Sequence, residues 1–226
     1  MEYLSGDLRK MRGIWRTTMR RKVFLLALLA ICVAGNVKEV WACACCADKG
    51  AYGISVRKPD DYLLSEFKNL KFASDGILFT SDAGVDANQV KGLPVEYNDD
   101  NPETDFTRFR VKGLFANNQW EISLQDYKGR TGSLLLPRPA TLLRFAVDLE
   151  PDSKGPDPTL YKEWRFQGVA TGTGFLQKSM APNTKFFLVF RGKGNACDNA
   201  SDFNYWRLEI NGSKASYAFW GKMAQN

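Results

Sequence analysis

Short segments in which apolar and polar residues alternate are the feature that most constrains the fold of this chain. Trp120, Ile122 and Leu124 are separated by single polar residues, and residues 205–210 repeat the pattern. Successive side chains of a strand point to opposite faces, so a period of two is typical of strands that cover a core on one side. Outside the N-terminal 42 residues, helical periodicity is confined to 60–67, where Asp60 or Asp61 could cap a short helix.

The alternating segments predict an all-β protein with about nine to eleven short antiparallel strands. The clearest of them cover 106–115, 120–125, 133–136, 142–149, 160–175, 185–191, 205–210 and 215–220. An Asn-Asn pair at 117–118 and an Asn-Gly pair at 211–212 predict tight hairpin turns. Three glycines within 160–175 suit a bend where the sheet curls. We predict an antiparallel β-sandwich, jelly-roll-like, with a lipocalin-like β-barrel as the alternative.

The N-terminal part carries the pattern of an export signal. Three basic residues at 20–22 precede an apolar run at 23–34. A run of about 12 residues suits a signal peptide and is too short for a membrane span of about 20. Small residues precede two candidate cleavage positions, so either Cys43 or Cys45 would become the first residue of the mature protein. We therefore predict a protein that is periplasmic or secreted.

This interpretation divides the chain into a signal peptide at 1–42 and a single exported β-domain at 43–226, with no membrane span after signal removal. Translation could begin at Met1, Met11 or Met19, because the signal itself needs only the last part of this segment. A lipid anchor on Cys43 is a weaker alternative. The bulky Trp41 occupies a position where lipid-modified cysteines usually have a small residue.

Removal of the signal also removes most of the positive charge. The whole chain has 31 basic and 25 acidic residues, and 1–42 contains 8 of the basic and 3 of the acidic ones. The remaining 23 basic and 22 acidic residues leave a net charge of +1. Such a balanced domain lacks the basic surface that nucleic acids require, so we expect no nucleic-acid partner.

Four cysteines remain after the predicted cleavage: Cys43, Cys45, Cys46 and Cys197. In an oxidising compartment an even number of cysteines favours disulfides. A bond between the adjacent Cys45 and Cys46 would be strained. We therefore expect the N-terminal cluster, formed by Cys43, Cys45 and Cys46, to be joined to Cys197 by a disulfide. Two alternatives remain open. A free vicinal pair would suit thiol exchange, and three or four thiolates would suit Cu or Zn. Unless the thiolates hold Cu or Zn, we expect the protein to carry no cofactor.

The chain contains no histidine. This excludes a Ser-His-Asp triad, a Cys-His pair and every metal site that needs imidazole. An enzyme would have to rely on carboxylates such as Glu121, Asp148, Glu163 or Glu209, for example in glycoside hydrolysis. Because these residues lie on strands where polar side chains normally form the solvent face, we predict no catalytic residue.

Two strands share a pattern that indicates binding. Their outward positions hold Tyr, an acid and Arg, which together can recognise sugars or acidic small molecules. The residues are Tyr161, Glu163 and Arg165 on the first strand and Tyr205, Arg207 and Glu209 on the second. Six aromatic residues are instead expected in the core: Trp120, Phe145, Trp164, Phe166, Trp206 and Trp220.

These observations favour one function and leave two alternatives. The favoured function is an exported, non-catalytic β-domain of the cell envelope that binds a small molecule, a glycan or an envelope protein. One alternative is an envelope thiol-redox or soft-metal protein that uses the CxCC cluster of Cys43, Cys45 and Cys46. The other is an enzyme that works through carboxylates alone.

Overall fold

The computed structural model describes residues 49–80, 84–86, 88–95, 106–154, 158–195 and 198–224, all within the unit Cys45–Asn226. The predicted signal peptide and all four cysteines of 43–226 lie outside the described residues. Within the described ranges, none of the helices has the length and apolar character needed to cross a membrane.

Antiparallel strands account for most of the described chain, and they form one sheet. In chain order they are β1 (Tyr52–Arg57), β2 (Phe72–Phe79), β3 (Arg108–Ala116), β4 (Gln119–Gln125), β5 (Thr131–Pro137), β6 (Leu142–Asp148), β7 (Leu160–Val169), β8 (Thr171–Gly172), β9 (Lys185–Lys193), β10 (Phe203–Asn211) and β11 (Ser216–Met223). Their order across the sheet is β1-β6-β7-β9-β10-β11-β2-β3-β4-β5-β8. The sheet is open at β1 and β8, which agrees with the predicted all-β sandwich and not with the closed alternative.

The sheet curls over so that its two halves pack face to face. The ring centroids of Trp120 on β4 and Phe190 on β9 are 5.1 Å apart, although four strands separate β4 from β9 in the sheet order. The chain also passes from β7 to β8 through Ala170 alone, and β8 pairs with β5 near the far end of the sheet. The core therefore lies inside the curl, between the two halves.

The predicted bend in 160–175 is confirmed, and two glycines show why it needs them. A Cβ atom on Gly168 would lie 2.8 Å from the ring of Phe186 on β9. Gly174 has a φ of 60° and begins a 3₁₀ turn, Gly174–Leu176, that packs against β5. Since other residues rarely adopt this φ, glycine allows the chain to leave one half of the sheet and turn along the other.

One helix, α1 (Asp61–Asn69), fills one end of the core. The Oδ1 atom of Asp60 accepts a hydrogen bond from the backbone N–H of Leu63 at 3.0 Å, which confirms Asp60 as the N-cap. Leu63 and Phe67 are completely buried. The ring of Phe67 meets aromatic rings from β3, β4 and β7, so α1 joins both halves of the curled sheet.

The predicted faces are largely correct, with two corrections. Trp120, Trp164, Phe166 and Trp206 are buried in the core as expected, but Phe145 and Trp220 are only partly buried and lie on the opposite face. In β11 the buried inward positions are Tyr217, Phe219, Gly221 and Met223, and Trp220 lies between them. The prediction failed because β6 and β11 carry apolar residues on both faces, so alternation does not identify the core side.

Candidate functional site

Strand pairing brings the six predicted binding residues onto one surface. Their strands β7 and β10 flank β9, and Glu163 on β7 is the register partner of Arg191 on β9. Arg191 is in turn the partner of Tyr205 on β10. Directly opposed residues in antiparallel strands point to the same side of the sheet. We call the outward surface of β7, β9, β10, β11 and β2 the outer face.

A second cross-strand row runs beside the first. Arg165 on β7 is paired with Val189 on β9, and Val189 with Arg207 on β10. Arg207 is paired with Trp220 on β11, and Trp220 with Ile77 on β2. The two rows place three arginines on neighbouring strands, next to a tryptophan that sequence analysis had assigned to the core.

Both glutamates of the outer face are engaged by an arginine of their own strand. The Nε atom of Arg165 donates to Oε2 of Glu163 at 2.5 Å, and the Tyr161 hydroxyl donates to Oε1 of the same carboxylate. On β10 a terminal nitrogen of Arg207 lies 2.7 Å from Oε1 of Glu209. These partly exposed pairs contribute only about 0–1 kcal/mol each. They mainly hold the side chains in fixed orientations.

Each of the three arginines also lies over an aromatic ring. The guanidinium carbon is 5.5 Å from the Phe145 ring centroid for Arg165, and 5.6 Å from that of Tyr205 for Arg191. For Arg207 the corresponding distance, to Phe79 on β2, is 4.9 Å. Cation–π attraction to a ring restrains the position of the guanidinium group. The arginines of the outer face are therefore oriented before any ligand arrives.

The Tyr161 hydroxyl is held in its protonated form. Burial and the hydrogen bond to the neighbouring Glu163 carboxylate raise the pKa of Tyr161 to about 12. The positive charges of Arg191 and Arg165 oppose this shift and do not cancel it. Tyr161 thus acts as a hydrogen-bond donor across the physiological pH range.

Three adjoining depressions in the outer face form an extended groove. Their volumes are about 520, 640 and 150 Å³. Arg207 and Phe79 line both the second and the third, while Glu209 and Asn211 line both the first and the third. We call the three together the groove. Volumes of about 300–1,000 Å³ are typical of small-molecule sites.

The largest of these, which we call the arginine depression, contains residues that sequence analysis missed. Arg191, Arg207, Trp220, Phe79 and Phe106 are among its lining residues. Of these, only Arg207 had been predicted as a binding residue. Arg191 follows a continuous apolar run at 186–190 in which Leu188, Val189 and Phe190 are all buried, so alternation alone did not identify its outward position. Its approach to Arg207 depends on the register between β9 and β10.

Glu163 and Glu209, two of the carboxylates considered for catalysis, do not converge. Counted along the strand register, Glu163 and Glu209 are two strands and four residues apart, about 16 Å by standard strand spacing. Paired glycosidase carboxylates are about 5–10 Å apart. Asp148 accepts hydrogen bonds from the backbone N–H groups of Gly50, Glu150 and Thr159, which hold the pKa of Asp148 below its usual value. A general acid would need the opposite shift.

The described residues that flank Cys197 are firmly placed. Asp198 forms ion pairs with Arg57 at the end of β1 and Arg144 on β6, at 3.1 and 2.6 Å. The Oδ1 atom of Asn195 accepts a hydrogen bond from the backbone N–H of Leu160 at 3.4 Å. Because Cys43, Cys45, Cys46 and Cys197 lie outside the described residues, their disulfide, thiol-redox and metal interpretations stay predictions. Among the described residues, no group of three or more Cys, Asp or Glu is arranged to hold a metal ion.

Comparison of the chain with models of known protein families, with curated proteins and with solved structures found no match.

Proposed function

We propose that this chain is an exported, non-catalytic β-domain protein of the cell envelope that binds a sugar or an acidic small molecule in the groove. One observation carries the proposal. The six residues predicted from sequence to bind lie together on the outer face, and two of them, Arg207 and Glu209, line the groove. Arg191 and Arg207, each held over an aromatic ring, border its largest depression. A structural role alone does not require so many oriented hydrogen-bonding groups beside an open groove.

The chemistry of the outer face supports binding more than catalysis. Its two glutamates are neutralised by arginines of their own strands and are too far apart to act on one bond. Its tyrosine and arginine side chains can donate hydrogen bonds to hydroxyl or carboxylate oxygens, and its aromatic rings offer flat apolar surfaces. These are the groups that hold a polar ring compound without transforming it.

Binding can be tested by thermal unfolding of the full chain in the presence of neutral oligosaccharides, acidic oligosaccharides and small dicarboxylates. At a concentration of 100 times Kd, a ligand stabilises the folded state by about 2.7 kcal/mol. For a domain of this size that raises Tm by roughly 5–10 °C. Arg207→Ala should reduce the increase, whereas Lys112→Ala on β3, outside the groove, should leave it unchanged. If no ligand class raises Tm, the binding proposal is wrong.

Export requires a separate experiment. The full chain would be produced in a Gram-negative bacterium, and the fractions would be analysed by N-terminal sequencing and by intact mass before and after reduction. We expect an envelope fraction that begins at Cys43 or Cys45, with its cysteines in disulfides. Recovery of the uncleaved chain from the cytosol with reduced thiols would refute both the predicted export and the predicted disulfides.

A further inference from the structure

We propose that the arginine depression binds the carboxylate of an acidic sugar, a hexuronic acid within an oligosaccharide. The inference rests on the proposed binding function and specifies its ligand class. It assigns Arg191 and Arg207 to the carboxylate, Trp220 and Phe79 to the sugar ring, and the rest of the groove to neighbouring sugars.

The charge of the depression favours an anion. The carboxylates of Glu163 and Glu209 are occupied by arginines of their own strands, and no described carboxylate forms an ion pair with the exposed Arg191. The side chain of Arg207, paired with Glu209, is 43% exposed and lines the same depression. Arg191 thus brings an uncompensated guanidinium to this depression. A carboxylate of the ligand would pair with Arg191 while lying beside Arg207.

The geometry allows both arginines to reach one carboxylate. Arg191 is paired with Tyr205, and Arg207 lies two residues further along the same strand. Such diagonal neighbours on adjacent strands are about 7–8 Å apart at their Cα atoms. Stacking on Tyr205 and Phe79 restricts the two guanidinium groups before binding, which lowers the entropy cost of ordering them.

The wall of the depression favours a ring over a simple anion. Trp220, Phe79 and Phe106 contribute aromatic surface to it, and a purely ionic site has no need of such surface. A sugar ring can pack its C–H face on an aromatic ring while its hydroxyls remain free for hydrogen bonds. The combination of arginines and aromatic rings therefore fits a carboxylated sugar better than phosphate or sulfate alone.

The groove continues beyond the arginine depression and provides partners for further sugars. Its middle part contains Glu209 and Gln89, and its far part contains Gln167, Lys185 and Asn211. These are neutral or mixed in charge and suit hydroxyl groups. An oligosaccharide with its acidic unit at Arg191 would extend along the groove toward Asn211.

The test is isothermal titration calorimetry of the full chain with trigalacturonic acid and with its methyl ester, which has the same rings without the charge. We expect the acid to bind and the ester to bind at least roughly tenfold more weakly, since a hydrogen bond to a charged group carries about that much affinity. Affinity for the acid should also fall as salt is added, because both arginines are partly exposed.

Variants distinguish a specific site from general attraction. Arg191→Ala should weaken binding of the acid roughly tenfold, and Arg191→Lys should restore only part of it, because lysine keeps the charge but lacks the planar fork. The matched control is Lys222→Ala on β11, which removes the same charge nearby but does not line the depression. Unchanged Tm in each variant confirms that the fold is intact.

Every outcome is informative. Equal binding of acid and ester, or equal losses in Arg191→Ala and Lys222→Ala, would overturn the carboxylate assignment and leave the proposed function standing. Failure of both trigalacturonate forms to bind would also overturn it, and the proposed function would then depend on the other ligand classes in its own experiment.

Discussion

Replacement of Phe67 by alanine tests whether helix α1 is essential to the core. Phe67 is completely buried, and its ring centroid lies 5.2–5.4 Å from those of Phe115, Trp164 and Phe166 in edge-on geometry. A fourth ring, Trp120, lies 6.1 Å away. These four rings come from β3, β4 and β7, so a single side chain connects the two halves of the curled sheet.

The expected cost follows from this environment. Phe→Ala substitutions in cores cost about 3–5 kcal/mol, and each edge-on aromatic pair adds about 0.5–1.5 kcal/mol to area burial alone. The surrounding rings belong to paired strands and cannot collapse far into the space left by the phenyl group. We therefore expect a loss of about 4 kcal/mol, a large part of the roughly 5–15 kcal/mol by which such domains are stable.

The measurement is urea unfolding followed by tryptophan fluorescence, with the free energy of unfolding extrapolated to water. Tyr62→Ala provides the control on the same helix, since Tyr62 is 49% exposed and its loss should cost less than about 1 kcal/mol. Phe67→Leu should cost about 1–2 kcal/mol and remains measurable if the alanine variant does not fold.

The reasoning is refuted if Phe67→Ala costs no more than Tyr62→Ala. That result would mean that α1 lies on the sheet without filling its core. A loss accompanied by a large change in the urea slope would instead indicate that the variant exposes a different amount of surface on unfolding.

Three further predictions concern single polar groups. Tyr217→Phe should raise the free energy of unfolding in urea by about 1 kcal/mol, because the buried Tyr217 hydroxyl has no hydrogen-bond partner among the described residues. The control Tyr205→Phe, at a more exposed side chain, should change this free energy little. Asp148, whose lowered pKa reflects three backbone hydrogen bonds, contributes stability that is present above the unfolded pKa of about 3.9 and lost as pH falls through the folded value. Urea unfolding at pH 7 and pH 3 should therefore show a larger acid loss for the wild type than for Asp148→Asn, and equal losses would contradict this. Asp198→Ala should cost about 1–2 kcal/mol, since it leaves the partly exposed Arg57 and Arg144 without their shared partner; a cost below that of Asp75→Ala, on the exposed part of β2, would refute it.

Local patterns in the sequence predicted much of the fold correctly. Asn117 and Asn118 both have positive φ, as expected for a tight hairpin turn. Asp60 caps α1, and Trp120, Ile122 and Leu124 are all buried on one face. Each of these features depends on neighbours within a few residues, so the sequence alone is sufficient to predict them.

Two strands were missed for the same physical reason. β1 at the edge of the sheet is exposed on both faces, and β2 contains Ser74, Asp75 and Gly76 in place of regular alternation. Both strands are stabilised by their neighbours: β1 by pairing with β6, and β2 by pairing with β11 and β3. A strand whose stability comes mainly from partners distant in sequence has a weak local signal.

The candidate site, like the fold, combines features set by the local sequence with features set by tertiary contacts. The sequence by itself determined that Tyr161, Glu163 and Arg165 share one side of a strand, and that Arg207 and Glu209 share one side of another, because side chains alternate along a strand. Only the tertiary structure placed Arg191 between the two strands and Trp220 beside Arg207, and only the tertiary structure curled the sheet around its core. Those contacts are set by register and strand order, which depend on pairing between residues far apart in the chain.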